Sequence, residues 1–273
     1  MGPESRLPGD TLDALRVSRV PAVADNYIWL VHGRGPHHER VAVVDPGDAA
    51  PVLKALAALG LILDTILVTH HHSDHVGGVE ALLRHAEVPV FGPAGESIPG
   101  RTVALAEGDE VVLAGLGLAF RILDIPGHTA GHIAYYGHGA LFCGDTLFSA
   151  GCGRLFEGTP PQMLASLDKL GALPEATRVY CGHEYTAANL KFAAAVEPAN
   201  VEIRAYSVEV AARRAANAAT LPSTLGLETR INPFLRTRLE GVRAAASARA
   251  GRPLTDDAEA FRVIREWKDG FRA

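Results

Sequence analysis

Cysteine, cationic surplus and long apolar runs are what this chain lacks. Its three cysteines, Cys143, Cys152 and Cys181, are scattered through 273 residues. That excludes a disulfide framework and a Cys-x-x-Cys zinc knuckle, and makes a reducing compartment, the cytoplasm, the expectation. Lys and Arg total 26 against 31 Asp and Glu, for a net charge of -5. A nucleic-acid binder held by a broad basic field is therefore not expected. No apolar run approaches the ~20 residues a membrane span needs. The opening MGPESRLPGDTLDALR has no apolar core of a secretory signal. What the chain does have is 48% hydrophobic residues, enough for a large core.

Strands and helices alternate through about residue 183. Tyr27 to His32, Arg40 to Asp45, Thr65 to Val68, Val88 to Phe91, Val111 to Leu113 and Leu118 to Ile125 read as strands. Ile133 to Tyr136 and Ala140 to Cys143 read as a hairpin, and Arg178 to Cys181 as a further strand. Helices are expected over 49–59, His75 to His85 with Asp74 near its start, and Met163 to Leu170. This order fits two sheets covered by helices. From Glu184 to Ala219 the chain turns Ala-rich and helix-compatible, broken at Pro198. LPSTLGLETRINPFLR reads as a loop, and Asp257 to Lys268 as a last helix capped by Thr255 or Asp256. The organisation expected is a loose extension over 1–19, a main domain over 20–183 and a helical C-terminal layer over 184–273.

One stretch carries the chemistry. The apolar run Ile66, Leu67, Val68 ends at Thr69 and is followed by His70, His71, His72, Ser73, Asp74 and His75. In an extended or turning segment residues two apart point the same way, so His70 and His72 can converge on one ion. Asp74 and His75, where the chain turns into a helix, can face a second, while His71 points away. A solvated His-rich loop is the bland alternative; the carboxylate within the cluster and its place at a strand end argue against it. Imidazole and carboxylate suit divalent metals such as zinc, and one ion needs about four ligands. Three further strand ends offer more. His128 in DIPGHTAGH, Asp145 in LFCGDTLF and His183 in VYCGHEY each follow an apolar strand and a glycine, which lets the backbone turn sharply. Asp45 in VVDPGD reads either as a group orienting a ligand or as a strand-ending turn residue. His132 reads as structural.

The HxHxDH pattern at His70, His72, Asp74 and His75 resembles the metallo-β-lactamase superfamily. The resemblance implies an α/β fold, an αβ/βα four-layer sandwich with a two-metal site at one edge. It assigns His70, His72 and His128 to the first metal and Asp74, His75 and His183 to the second, with Asp145 bridging them. Zinc, iron and manganese all suit this set. Two such ions ionise a water near neutral pH and polarise a carbonyl, so a hydroxide nucleophile is expected, with Asp74 and Asp145 as the catalytic carboxylates.

Longer stretches narrow the family. VPAVADNYIWLV, GDTLFSAGCGRLFEGTPPQM, RVYCGHEYTAANLKFA, INPFLR and IREWKDGF are similar to the glyoxalase II, or hydroxyacylglutathione hydrolase, family from about Val20 to the C-terminus. The resemblance implies thioester hydrolysis of S-(2-hydroxyacyl)glutathione, notably S-D-lactoylglutathione, the second step of methylglyoxal removal. It implies a small glutathione thioester as partner; a monomer is expected, and the charge balance and short apolar runs leave neither nucleic acid nor membrane as a partner. It places Arg154, Leu155, Phe156 and Tyr185 against the peptide, and Arg265 with Lys268 on the glycine carboxylate. Asn189 and Lys191 are expected near the same region. Relatives often carry Lys at the position of Arg154 and Tyr at that of Phe156. An exported β-lactamase, a one-iron persulfide dioxygenase without the helical layer, a nuclease with an added binding domain and a metal-binding protein without activity are the rival readings.

Overall fold

A computed structural model describes residues 15–272. These form two compact units. The first holds the described residues up to Asp124 together with Ile133–Phe142, and the second holds Ile125–His132 and the chain from Cys143 onward.

The first unit begins with β1 (Val17–Ala22), β2 (Asn26–His32) and β3 (Arg40–Val44), an antiparallel meander. Strand β1 starts inside the stretch expected to be a loose extension; residues 1–14 of that stretch lie outside the described residues. Helix α1 (Ala49–Leu59) then carries the chain to β4 (Ile62–Leu67), parallel to β3. The carboxylate of Asp48 accepts the Ala50 N–H at its start, and Gly60 in the left-handed region ends it. Val52 and Leu56 on its buried face pack into a cluster with Ile28, Leu30, Val41, Val43, Ile66 and Val68. Two short helices follow, α2 (Ser73–Val76) and α3 (Val79–His85), and then β5 (Val90–Pro93) and β6 (Val103–Leu105), which complete a six-stranded mixed sheet in the order β1-β2-β3-β4-β5-β6. Strands β7 (Glu110–Leu113), β8 (Leu118–Asp124), β9 (Ile133–Gly137) and β10 (Ala140–Gly144) pair antiparallel in sequence.

The helix expected over 75–85 is thus two helices broken at Gly77–Gly78. The break is tertiary in cause. A Cβ on Gly77 would meet the carbonyl of Gly47, and one on Gly78 the carbonyl of Pro46. Gly78 N–H donates to that Pro46 carbonyl at 2.8 Å.

In the second unit β11 (Leu147–Phe148) and β12 (Gly151–Cys152) form a small hairpin, followed by α4 (Pro160–Gly171) and β13 (Arg178–Cys181). The Gly182 N–H donates to the Gly144 carbonyl, so the end of β13 lies beside the end of β10. Then come α5 (Thr186–Val196), α6 (Val201–Ala215), β14 (Ser223–Thr224), α7 (Leu225–Ile231), α8 (Glu240–Ala250) and α9 (Asp257–Gly270). Asp256 caps α9 by accepting the Glu259 N–H. The segment read as a loop contains β14 and α7. Thr224 caps α7, and Glu228 and Asn232 then reach back to the turn between β11 and β12. Glu228 Oε2 accepts the Ala150 N–H at 2.7 Å, and the Asn232 amide donates to the carbonyls of Phe148 and Gly151.

Candidate metal centre

In the first unit the ligand-type residues follow directly from the end of β4. Asp45, buried and at φ 51°, is the hub. Its Oδ1 accepts the Thr69 N–H at 2.8 Å, and its Oδ2 accepts the Thr69 hydroxyl at 2.7 Å and His75 Nδ1 at 3.1 Å. Since the Thr69 proton goes to Asp45, the Thr69 oxygen accepts from His70 Nδ1, 3.1 Å away. One carboxylate therefore fixes two imidazoles with their protons on Nδ1, which turns Nε2 of each toward a ligand. The His70 ring centroid lies 4.1 Å from that of His75 and 4.8 Å from that of His72. His75 Nε2 stands 3.6 Å from Asp74 Oδ2. His71 is turned elsewhere, its N–H and Nδ1 both on Glu96 Oε2 at 2.6 and 2.9 Å. Asp45, His70 and His75 offer donor atoms within 4.8 Å of one another. With three donors already on its oxygens, Asp45 orients the imidazoles, and it is a strand-ending turn residue as well, so both of its sequence readings hold.

The second unit gathers the other three. His183 Nε2 lies 3.2 Å from Asp145 Oδ2, and His128 Nε2 lies 3.5 Å from the same oxygen. His128 Nδ1 donates to the Arg154 carbonyl at 2.9 Å. His128 Nε2 is thereby turned toward the carboxylate, where a neutral imidazole has a lone pair to offer a cation. His132 is structural, its Nε2 accepting the Asp145 N–H at 3.2 Å. The glycines differ in their reasons. Gly127 (φ 154°) and Gly144 (φ 45°), ahead of His128 and Asp145, occupy backbone that favours glycine. Gly182, ahead of His183, lies in a bend without positive φ, so the turn there does not draw on the left-handed freedom of glycine. Gly153 carries no signal in the sequence, yet a Cβ there would collide with the Asp145 carbonyl.

The residues expected to touch a peptide also lie in the second unit. The exposed Arg154 guanidinium stands 3.5 Å from Asp269, and Leu155 is half-buried. Phe156 is 63% exposed, with its ring edge-on to His128 at 5.3 Å. Tyr185 stacks flat on His183 at 4.7 Å and meets Phe148 edge-on. The two cations of α9 differ. Arg265 is 5% exposed and donates to the Cys152 carbonyl at 2.8 Å and to Asp269 at 3.0 Å, above the Phe234 ring. Lys268 is half-buried, its Nζ 3.4 Å from the Ala188 carbonyl and above Phe192. Burial, and then the neighbouring Arg265, lower the Lys268 pKa to about 8. Asn189 is buried and donates to the Ser149 carbonyl, and Lys191 is exposed.

Residues 23–183 match the metallo-beta-lactamase superfamily, and residues 184–271 match the hydroxyacylglutathione hydrolase C-terminus. The chain belongs to the hydroxyacylglutathione hydrolase family of the metallo-β-lactamase superfamily. A relative from Cupriavidus taiwanensis called hydroxyacylglutathione hydrolase is 56% identical over 270 residues, covering 94% of this chain and 100% of that one. In fold the chain is similar to ETHE1 from Myxococcus xanthus, with TM-score 0.64, 24% identity and coverage of 92% of this chain and 90% of that one. TTHA1623, whose crystal structure is of a di-iron-bound form, is 29% identical with TM-score 0.55, covering 79% of this chain and 98% of that one. Among the described residues no helix is long and apolar enough to cross a membrane.

Proposed function

We propose that this chain hydrolyses S-(2-hydroxyacyl)glutathione, with S-D-lactoylglutathione as reference substrate, to the 2-hydroxy acid and glutathione, the second step of methylglyoxal removal. The observation that carries the reading is the match of the helical segment 184–271 to the hydroxyacylglutathione hydrolase C-terminus. Metal-ligand patterns belong to the whole superfamily, whereas that segment is particular to this family.

His70, His72 and His128 would hold one divalent cation, Asp74, His75 and His183 a second, and Asp145 both. Support comes from the donor chemistry, from the Nδ1 partners that orient His70, His75 and His128, and from His128 Nε2 and His183 Nε2 both facing Asp145 Oδ2. TTHA1623 is a relative in a di-iron-bound form; zinc, iron and manganese all suit these donors. When bound, such a pair supplies Lewis acidity for the thioester carbonyl and lowers the pKa of the attacking water.

The chain's own residues do the remainder. Asp74 orients the water, whose oxygen adds to the thioester carbon. The C–S bond then breaks and the sulfur leaves as a thiolate, which takes up the proton the water has lost. A thiol of pKa about 8.5 leaves without a strong general acid, and no side chain is acylated. Tyr185 and the segment Arg154, Leu155, Phe156 bind the peptide, and Arg265 with Lys268 meet its glycine carboxylate. The enzyme works as a cytoplasmic monomer; its three thiols are buried and outside any disulfide, as a reducing compartment leaves them.

The test is hydrolysis of S-D-lactoylglutathione set beside a cephalosporin, a persulfide and an RNA, with elemental analysis of the active protein. Lactoylglutathione should be the preferred substrate, at two ions per chain, and Asp145→Asn should abolish turnover. Preference for another substrate overturns the activity. One ion per fully active chain, with Asp145→Asn fully active, overturns the paired site.

A further inference from the structure

We propose that Asn26 is a positioning residue for the second cation, holding Asp74 Oδ2 at ligand spacing from His75 Nε2. This rests on the reading of Asp74 and His75 as ligands of that cation. Asn26 opens β2 and is 5% exposed. Its Nδ2 donates to the Asp74 carbonyl oxygen at 3.2 Å and to Asp74 Oδ2 at 3.0 Å. A carbonyl oxygen and a carboxylate oxygen only accept, so the amide must present its NH2 to both.

Two bonds from one amide to the main chain and side chain of a single residue fix that residue's side-chain torsions. On the main-chain side Asp74 has no room to shift, because Gly47 packs so closely on its carbonyl that a Cβ there would overlap it. The result is an Oδ2 held 3.6 Å from His75 Nε2. Two donor atoms each about 2.0–2.2 Å from one ion stand roughly 3–3.6 Å apart in tetrahedral or octahedral geometry. Asn26 therefore holds the carboxylate where the ion needs it. It does so without charge, so removing it leaves the electrostatics of the ligand set intact and loosens only the geometry. The ligands His70 and His75 are oriented by Asp45 and Thr69 instead.

The experiment measures both cation dissociation constants on the metal-depleted full chain, by chelator competition with zinc, for the natural sequence, Asn26→Leu, Asn26→Ala and Asp74→Ala. Asp74→Ala marks the second site by removing one binding event. Asn26→Leu keeps the volume without the donor, and Asn26→Ala serves if the leucine variant does not fold. The constant that vanishes in Asp74→Ala should weaken ten- to hundred-fold in the Asn26 variants, while the other stays within about two-fold. If Asp74→Ala removes one event and the Asn26 variants keep both at natural strength, Asn26 does not position the ligand and the ligand reading stands. If both constants weaken together, Asn26 supports the fold at large, and the proposal fails. If Asp74→Ala retains both events, the ligand reading fails and this inference with it.

Discussion

The two units hold the side chains proposed to ligate metal by opposite means. In the first, His70, His72, Asp74 and His75 are near neighbours in sequence and are aimed by other side chains: Asp45 and Thr69 fix two imidazoles, and Asn26 holds Asp74. In the second, His128, Asp145 and His183 come from separate strand ends. There the backbone takes part: the Arg154 carbonyl fixes His128, and the Asp145 N–H is anchored on His132. A side-chain network concentrates its dependence on one hub, so a single substitution there should do more damage than any in the second unit. Asp45→Asn keeps the size and tolerates the positive φ, but it turns an NH2 toward groups that are themselves donors. Hydrogen bonds to a buried charged group are the costly ones to lose, so about 3 kcal/mol or more of stability should go. His132→Leu orphans the Asp145 N–H and should cost about 1–3 kcal/mol. Denaturant unfolding of both metal-free variants checks the order, and equal losses would break the comparison.

That contrast also explains what could be read from the sequence. His70 to His75 stood out because polar residues closed an apolar strand, and His128, Asp145 and His183 because they repeated that pattern. Asn26 and Thr69 gave no such signal. Each is an ordinary strand-edge residue until the fold brings Asp74 beside one and Asp45 beside the other. The sequence around Asp45 fits two roles since both depend on what packs against it; the structure shows a turn conformation and three accepted bonds together. Helix α7 gives no sequence signal because it is only seven residues long, holds Gly226 in its first turn and is followed by Pro233, and its stability comes from Glu228 and Asn232 holding a distant turn. The i, i+3 spacing of Arg265 and Lys268 placed both on one face of α9, but spacing carries no information on depth. Arg265 lies under that face, engaged by Asp269 and the Cys152 carbonyl, and Lys268 lies nearer its surface.

The comparison sharpens in kinetics, since only the second unit carries the residues proposed to bind glutathione. Lys268→Ala removes a charge-assisted contact far from the reacting carbonyl, at a cost of roughly 1.5–3 kcal/mol. KM for lactoylglutathione should rise ten- to hundred-fold with kcat little changed, and a small thioester without glutathione should be indifferent. Arg265→Ala should raise KM too, with a fall in Tm, because Asp269 and a buried carbonyl lose their partner. Equal losses on both substrates would mean that α9 serves the fold alone.

Lys268 also carries a pH signature. With its pKa near 8 in the folded chain and 10.5 as the ordinary value, it loses its charge early, and KM for the anionic substrate should climb as pH rises through about 8. Stability runs the other way. Between about 8 and 10.5 the unfolded chain binds the extra proton, so this residue's contribution to stability grows with pH across that window and is at its least below 8. Both trends should be absent from Lys268→Ala, measured by KM and by Tm from pH 7 to 10. A KM that climbs equally in the variant would assign the titration to another group.

The smallest effect is expected at Phe156, in the segment proposed to bind the peptide. Its ring is 63% exposed and packs edge-on to His128, whose Nδ1 is fixed by the carbonyl of Arg154, two residues before Phe156. Phe156→Tyr keeps that ring contact and adds one hydroxyl donor at the rim. A neutral hydrogen bond to bound peptide contributes about 0.5–1.5 kcal/mol, and competition with water at so exposed a position favours the lower end. KM for lactoylglutathione should therefore fall only a few-fold, with kcat and Tm unchanged. Since the hydroxyl would point to substrate and not to His128, metal affinity should not move. A Phe156→Tyr variant whose metal affinity shifts along with KM would show that this loop tunes His128 through its ring. The second unit would then hold its ligands by side chains as well, and the distinction between the two halves would narrow to the first unit's hub.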